Sequence, residues 1–156
     1  MNSNFTLIVN EVLRFEGGYV NNPNDPGGET NYGISKKSYP SLDILHLSKA
    51  DAVAIYYRDY WLPSGADSLP FPLAAEVFDC AVNQGMSRAM KWKEQCGGDW
   101  RKMSQLRREF YLSLIAKNPK LAVFKNGWLN RLRQLELFVE EHLATSTDTQ
   151  HPTAGA

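Results

Sequence analysis

Glu16 occupies a position where a carboxyl group could do chemistry. It continues the stripe of Ile8 and Val12, so helical periodicity places it where a core side chain is expected. Partial burial and the negative end of the helix dipole both favour the neutral acid there. A carboxylic acid kept protonated near neutral pH is what protonates a leaving glycosidic oxygen. Gly17 and Gly18 follow at once and leave room for a substrate. Asp25 stands in a Pro/Gly-stiffened loop, and Thr30 follows, so a second carboxylate and a hydroxyl able to bind water or sugar lie close in sequence. Two carboxyl groups flanking a bond are the common chemistry of glycoside hydrolysis. Plainer readings remain open: Glu16 as a solvated helix end or a partner of Arg14 or Arg58, and Asp25 as an Asx-turn residue organising its loop.

Several elements must position these groups. Apolar residues at 5, 8, 9, 12 and 13 give the signature of an amphipathic helix, with Ser3 or Asn4 as its cap and Gly17-Gly18 as its end. From Tyr19 to Ser35 the run Asn21-Asn22-Pro23-Asn24-Asp25-Pro26-Gly27-Gly28 predicts a β-hairpin or an ordered loop with short strands. After Ser35 the pattern is helical almost throughout. Ser48 caps a helix through Tyr60-Trp61 that Pro63-Ser64-Gly65 breaks. Further helices are predicted near 73–84, 87–95, 101–117 and 129–143, separated by Gly97-Gly98, Asn118-Pro119 and Asn126-Gly127. Residues 145–156 have no apolar pattern and are expected to form a mobile tail.

The 156 residues are 43% hydrophobic and 22% charged, which suits one globular domain able to bury a core and excludes low complexity and general disorder. Cys80 and Cys96 are too few for a disulfide framework, and His46, His142 and His151 lie at no zinc-like spacing, so neither a metal nor a cofactor is expected. No apolar run approaches the roughly 18 residues of a membrane span, and Met1-Asn2-Ser3-Asn4-Phe5 lacks a basic secretory start. The expectation is synthesis in the cytoplasm. The net charge of zero conceals two halves: residues 1–78 carry 5 basic and 9 acidic side chains, residues 79–156 carry 12 and 8. All 12 of the latter basic residues fall between Arg88 and Arg133.

The blocks Glu16-Gly17-Gly18-Tyr19-Val20-Asn21 and Asn24-Asp25-Pro26-Gly27-Gly28-Glu29-Thr30-Asn31-Tyr32-Gly33-Ile34-Ser35 closely resemble glycoside hydrolase family 108. These are peptidoglycan N-acetylmuramidases that include phage endolysins and proteins once described as secretion activators. The similarity continues through Tyr56, Tyr60-Trp61, the run from Phe78 to Gly85 and the run from Asn126 to Arg131, covering roughly residues 5–135. The resemblance implies a mainly α, lysozyme-like fold with a small hairpin or ordered loop after the first helix, and Glu16 as catalytic acid. In phage-type lysozymes the glutamate is followed by an aspartate after eight intervening residues and a threonine after five more. Asp25 keeps the first spacing, whereas Thr30 comes one residue early and Asn31 takes the expected register. In place of the Asp-Gly turn of the family's second half, this chain has Gly97-Gly98-Asp99-Trp100-Arg101. The domain expected is therefore a single one over 1–144, with a catalytic core near 5–86 and helices of 87–144 completing the core and cleft.

The resemblance implies hydrolysis of the β-1,4 bond between N-acetylmuramic acid and N-acetylglucosamine in peptidoglycan glycan strands. Its rivals are a lytic transglycosylase, a host muramidase serving secretion, and a non-catalytic wall-binding protein. Tyr19 and Tyr32 flank the site and can stack on sugar rings, whereas Tyr56, Tyr57, Tyr60 and Trp61 read as core. Asp79 and Asn83 form either a buried polar network or a cleft wall, and Asn83 and Gln84 join Gly17, Gly18, Tyr19, Asn31 and Tyr32 as candidate substrate contacts. The basic stretch 88–133 suits an anionic cell-wall or membrane surface, and no nucleic-acid module is recognisable in it. A monomer is expected, acting on the cell wall after release by a holin or another carrier.

Overall fold

Asn2, one residue ahead of the predicted caps, starts the first helix. Its side chain accepts the Phe5 N–H at 2.8 Å and satisfies one of the amides that a helix start leaves without a partner. Helix α1 (Ser3–Glu16) ends where Gly17 turns to a φ of 77° and its N–H bonds the Leu13 carbonyl at 3.1 Å. Phe5, Ile8, Val9, Val12 and Leu13 are buried, so the predicted stripe is the core face. The structure, a computed structural model, describes residues 1–148. The chain divides into two compact units, one over Met1–Asp67 and one from Ser68 onward.

In the first unit, β1 (Thr30–Asn31) and β2 (Ile34–Ser35) pair antiparallel with Asn31 opposite Ile34. Tyr32 and Gly33 join them with φ values of 51° and 78°. Two positive φ angles in a two-residue loop are those of a type I′ turn, whose twist matches the flanking strands. Val20 bridges Thr30, each N–H bonding the other's carbonyl at 2.8 Å, so the turn-rich loop leaves and rejoins this small ribbon.

Beyond Ser35 the chain stays in turns until Ser48, contrary to the nearly continuous helix expected. The buried Asn31 side chain holds this stretch, donating to the Ile44 carbonyl at 3.0 Å and the Leu47 carbonyl at 3.4 Å. Ser48 and Asp51 then form a capping box for α2 (Lys49–Tyr56). The helix widens into a π turn over Tyr57–Trp61, followed by the single turn α3 (Leu62–Ser64), which left-handed Gly65 ends. The Phe5 ring lies 5.0 Å from that of Tyr57 and 5.2 Å from that of Trp61, which ties α1 to the widened turn.

In the second unit, α4 (Phe71–Asn83) packs against α5 (Met86–Gln95), α6 (Trp100–Lys117) and α7 (Lys125–Asp148). Gly85, at a φ of 101°, separates α4 from α5, and Asp99 caps α6 by accepting the Arg101 N–H at 2.9 Å. A 3-10 segment, Pro119–Phe124, leads directly into α7, so Asn126-Gly127 lies inside a helix instead of separating two. Leu132, Leu135 and Val139 are buried along one face of α7, and burying that stripe outweighs the glycine's poor helix propensity. Residues 145–148 continue α7, and the remainder of the expected tail, 149–156, lies outside the described residues. The fold is mainly α with one small antiparallel hairpin. No helix among the described residues is long and apolar enough to cross a membrane.

Candidate active site

Glu16, the last residue of α1, is half-buried, and the hairpin turn lies directly on its side chain. A methyl group at Gly33 would stand 2.6 Å from Glu16 Oε2, 2.9 Å from Glu16 Cβ and 2.6 Å from the Tyr56 hydroxyl. Only a residue without a side chain permits that approach, and its φ of 78° is likewise one that glycine adopts freely. The Tyr56 hydroxyl donates to the Tyr32 carbonyl at 2.6 Å, which pins the turn over the carboxyl group. The bond also helps hold Tyr32 in a left-handed backbone that costs a non-glycine residue about 1 kcal/mol. Tyr60, its ring 5.5 Å from that of Tyr56, has its phenol pushed up mainly by burial, with smaller contributions from Asp59 and then Glu16. Three separate elements, α1, the hairpin turn and α2 with its widened end, therefore meet at Glu16. Gly33 carried no role in the sequence reading, although two strands two residues apart around Tyr32-Gly33 are the pattern of a tight hairpin.

A hollow of about 340 Å³ opens beside this point, lined by Asn10, Leu13, Arg14, Gly17, Gly18, Tyr32 and Lys49. It brings together three of the predicted substrate residues, Gly17, Gly18 and Tyr32. Tyr19 is exposed, and its hydroxyl donates to Glu29 Oε2 at 2.6 Å. Asp25 is exposed and its Oδ1 accepts the Gly27 N–H at 2.9 Å, the Asx-turn arrangement. Thr30 is half-buried at the bridge to Val20. Asn31 corrects an expectation: its amide is committed to the carbonyls of the 44–47 segment inside the fold and is not offered to a substrate.

Residues 9–85 match the glycosyl hydrolase 108 family. That segment belongs to the family. It is accordingly a glycoside hydrolase of a peptidoglycan-degrading kind. The solved structure of Brucella abortus SagA is similar to this chain at a TM-score of 0.71 and 23% identity, covering 88% of this chain and 94% of that one. At that identity the likeness is one of fold, mainly α and lysozyme-like. No curated protein matches the sequence significantly.

The glycosyl hydrolase 108 segment ends in α4 and Gly85, where the remaining predicted contacts lie. Gln84 is buried; its Oε1 accepts Arg107 Nε–H at 2.7 Å and its Nε2 donates to the Arg107 carbonyl at 3.2 Å. Asn83 Oδ1 accepts the Tyr111 hydroxyl. Arg107 itself is fully buried and donates to Glu76 Oε2 at 2.8 Å and Asp79 Oδ2 at 2.6 Å, while Arg131 reaches Asp79 Oδ1 at 2.8 Å. Of the two readings of Asp79 and Asn83, this is the buried network, and the amide of Gln84 serves it instead of a substrate. Burial pushes the Asp79 carboxyl up, but Arg131 and Arg107 together hold it below its ordinary range. Glu76 has Arg107 alone, and burial pushes it up to about 7. Its Oε1 has no hydrogen-bond partner. Cys80 and Cys96 are buried free thiols, and burial pushes that of Cys80 up to about 12, which leaves it inert. Among the described residues, no group of His, Cys, Asp and Glu could hold a metal ion.

The contact at Gly33 carries a test of its own. Gly33→Ala is expected to lower glycan hydrolysis by about a hundredfold, because its methyl group displaces the Glu16 carboxyl. Gly97→Ala changes a glycine of similar backbone, φ 59°, with no atom within 4 Å of the added methyl group. That variant shares the backbone strain and should hydrolyse like the parent, so equal activities in the two variants would refute a positional effect on Glu16.

Proposed function

We propose that this chain is an N-acetylmuramidase that hydrolyses the β-1,4 bond between N-acetylmuramic acid and N-acetylglucosamine, with Glu16 protonating the leaving oxygen. The observation that carries the proposal is the meeting of three elements on Glu16 beside a hollow whose lining includes Gly17 and Gly18. A carboxyl group so held keeps one orientation toward a bound sugar, which is where much of the benefit of a general acid arises. Tyr32 lines the hollow and has an aromatic ring of the kind that stacks on a pyranose. Lys49, and Arg14 with its partner Glu11, bring positive charge to the lining, which suits the lactyl and stem-peptide carboxylates of peptidoglycan.

Asp25 is the second carboxylate of the proposal, steadying the attacking water or the oxocarbenium-like transition state, with Thr30 as its hydroxyl neighbour in sequence. The Asx turn through Gly27 fixes the direction of Asp25 and is compatible with that work. Site of action follows from substrate: the proposed enzyme works on the cell wall.

Mass spectrometry of the fragments released from purified peptidoglycan tests the reading. Muropeptides ending in a reducing muramic acid are expected. Ends in 1,6-anhydro form would make the protein a lytic transglycosylase, and binding to sacculi without any new ends would make it a wall-binding protein.

A further inference from the structure

The connection between α6 and α7 presents a surface that hydrolysis does not use. No acidic residue occurs between Glu109 and Glu136, while Lys117, Lys120, Lys125, Arg131 and Arg133 fall in that interval. Arg131 is engaged with Asp79, but the three lysines are exposed: Lys117 and Lys125 flank the 3-10 segment Pro119–Phe124 and Lys120 lies within it. At its tip Val123 is 79% exposed, more than any other large hydrophobic residue described, and Phe124 is 51% exposed. Such side chains are ordinarily drawn into a core.

The segment is built to hold them out. Asn118 accepts the Lys120 N–H at 3.3 Å and starts the turn. The Phe124 ring stacks on Trp128 with centroids 5.5 Å apart, and Trp128 stacks on Tyr111 at 4.7 Å. An aromatic column thus supports Phe124, and the three lysines flank or lie within the same short segment. A soluble polyanion would satisfy the lysines and gain nothing from Val123 or Phe124. An anionic bilayer satisfies both, with phosphates for the ammonium groups and an apolar phase for the tip.

We propose that residues 117–125 dock onto anionic phospholipid bilayers, with Val123 and Phe124 entering the headgroup boundary and Lys117, Lys120 and Lys125 resting on lipid phosphates. Binding through one short segment is reversible and weakens with salt. None of these residues lines the hollow beside Glu16, so lipid binding and glycan hydrolysis are tested separately.

Flotation of the full chain with vesicles tests this. The chain is expected to float with equimolar phosphatidylcholine and phosphatidylglycerol and to stay behind with phosphatidylcholine alone. Val123→Asp, at a site too exposed to disturb the fold, should reduce the partition coefficient by about tenfold or more. Lys120→Ala should reduce it about fivefold, and Lys37→Ala, in the first unit, should leave it unchanged. Hydrolysis of soluble glycan fragments by Val123→Asp should match the parent. Failure of the parent to float would overturn the proposal. So would Val123→Asp partitioning as the parent does, or soluble polyphosphate binding the chain as tightly as the vesicles do, since either leaves the apolar tip without a role.

Discussion

Glu16→Gln is expected to lower the rate of glycan cleavage by about 10²- to 10⁴-fold while leaving the melting temperature close to that of the parent. The carboxamide has the length and volume of the carboxyl group, and the site leaves little freedom: Gly33 packs on the side chain and the Tyr56 hydroxyl lies at the same point. The variant should therefore keep the approach of the hairpin turn and lose only the acidic proton. A purely structural Glu16, serving to seat the turn, predicts something else. Stability and activity would then fall together in Glu16→Gln, and Glu16→Asp, whose shorter side chain withdraws from Gly33, would be the less stable of the two. Counting new reducing ends alongside thermal unfolding separates these cases. A folded Glu16→Gln that cleaves at the parent rate would remove Glu16 from the mechanism.

Much of that site could be read from the chain because its logic is local. Glu16 lies four residues after Val12 and eight after Ile8, and both of these are buried, so helical periodicity alone located the misplaced carboxyl group. The end of α1 was equally legible in Gly17, whose positive φ is the usual helix stop. The partners of Glu16 were not local. Gly33 and Tyr56 reach it only after a hairpin and a helix have folded back, and no periodicity within either segment records that approach. Asn31 illustrates the opposite error. Its register matched a phage-type threonine, yet its amide was needed by carbonyls 13 and 16 residues downstream that no helix or strand satisfies. The turn region between Ser35 and Ser48 was not set apart from the helices after it, because what holds it is the distant Asn31 side chain and not a local repeat. Asn126-Gly127 read as a break because local propensity was weighed without the buried stripe of α7. Arg107 escaped notice for a related reason: one arginine among several in a basic helix looks solvated. The usable signal was on α4, where Glu76 and Asp79 sit in an otherwise Ala/Val-rich stretch and require a buried cation.

That requirement leads to the largest stability effect expected in the molecule. Arg107→Met keeps most of the aliphatic stem but withdraws the cation from Glu76 and Asp79 and the donor from Gln84. Removing one partner of a buried pair leaves the other charge uncompensated, so a loss of about 3–5 kcal/mol is expected, a large share of the roughly 5–15 kcal/mol that holds a domain folded. The loss should also depend on pH, with a sign fixed by Glu76. In the parent this group is raised from 4.5 to about 7. Below pH 4.5 both folded and unfolded chains hold its proton, and the favourable contribution of the neutral group is complete. Between pH 4.5 and about 7 the unfolded chain releases the proton and the folded chain retains it, so stability falls as pH rises, by about 3 kcal/mol in all. Above that window both states are ionised and the curve levels. Arg107 is what keeps Glu76 from rising further, because its charge and its hydrogen bond both favour the carboxylate. Without it the decline continues above pH 7, while Asp79, still held by Arg131, changes less. Urea unfolding of the full chain at pH 5 and pH 8 should therefore show Arg107→Met to be more damaging at pH 8. An equal or smaller loss at the higher pH would mean that Glu76 does not bear the uncompensated charge.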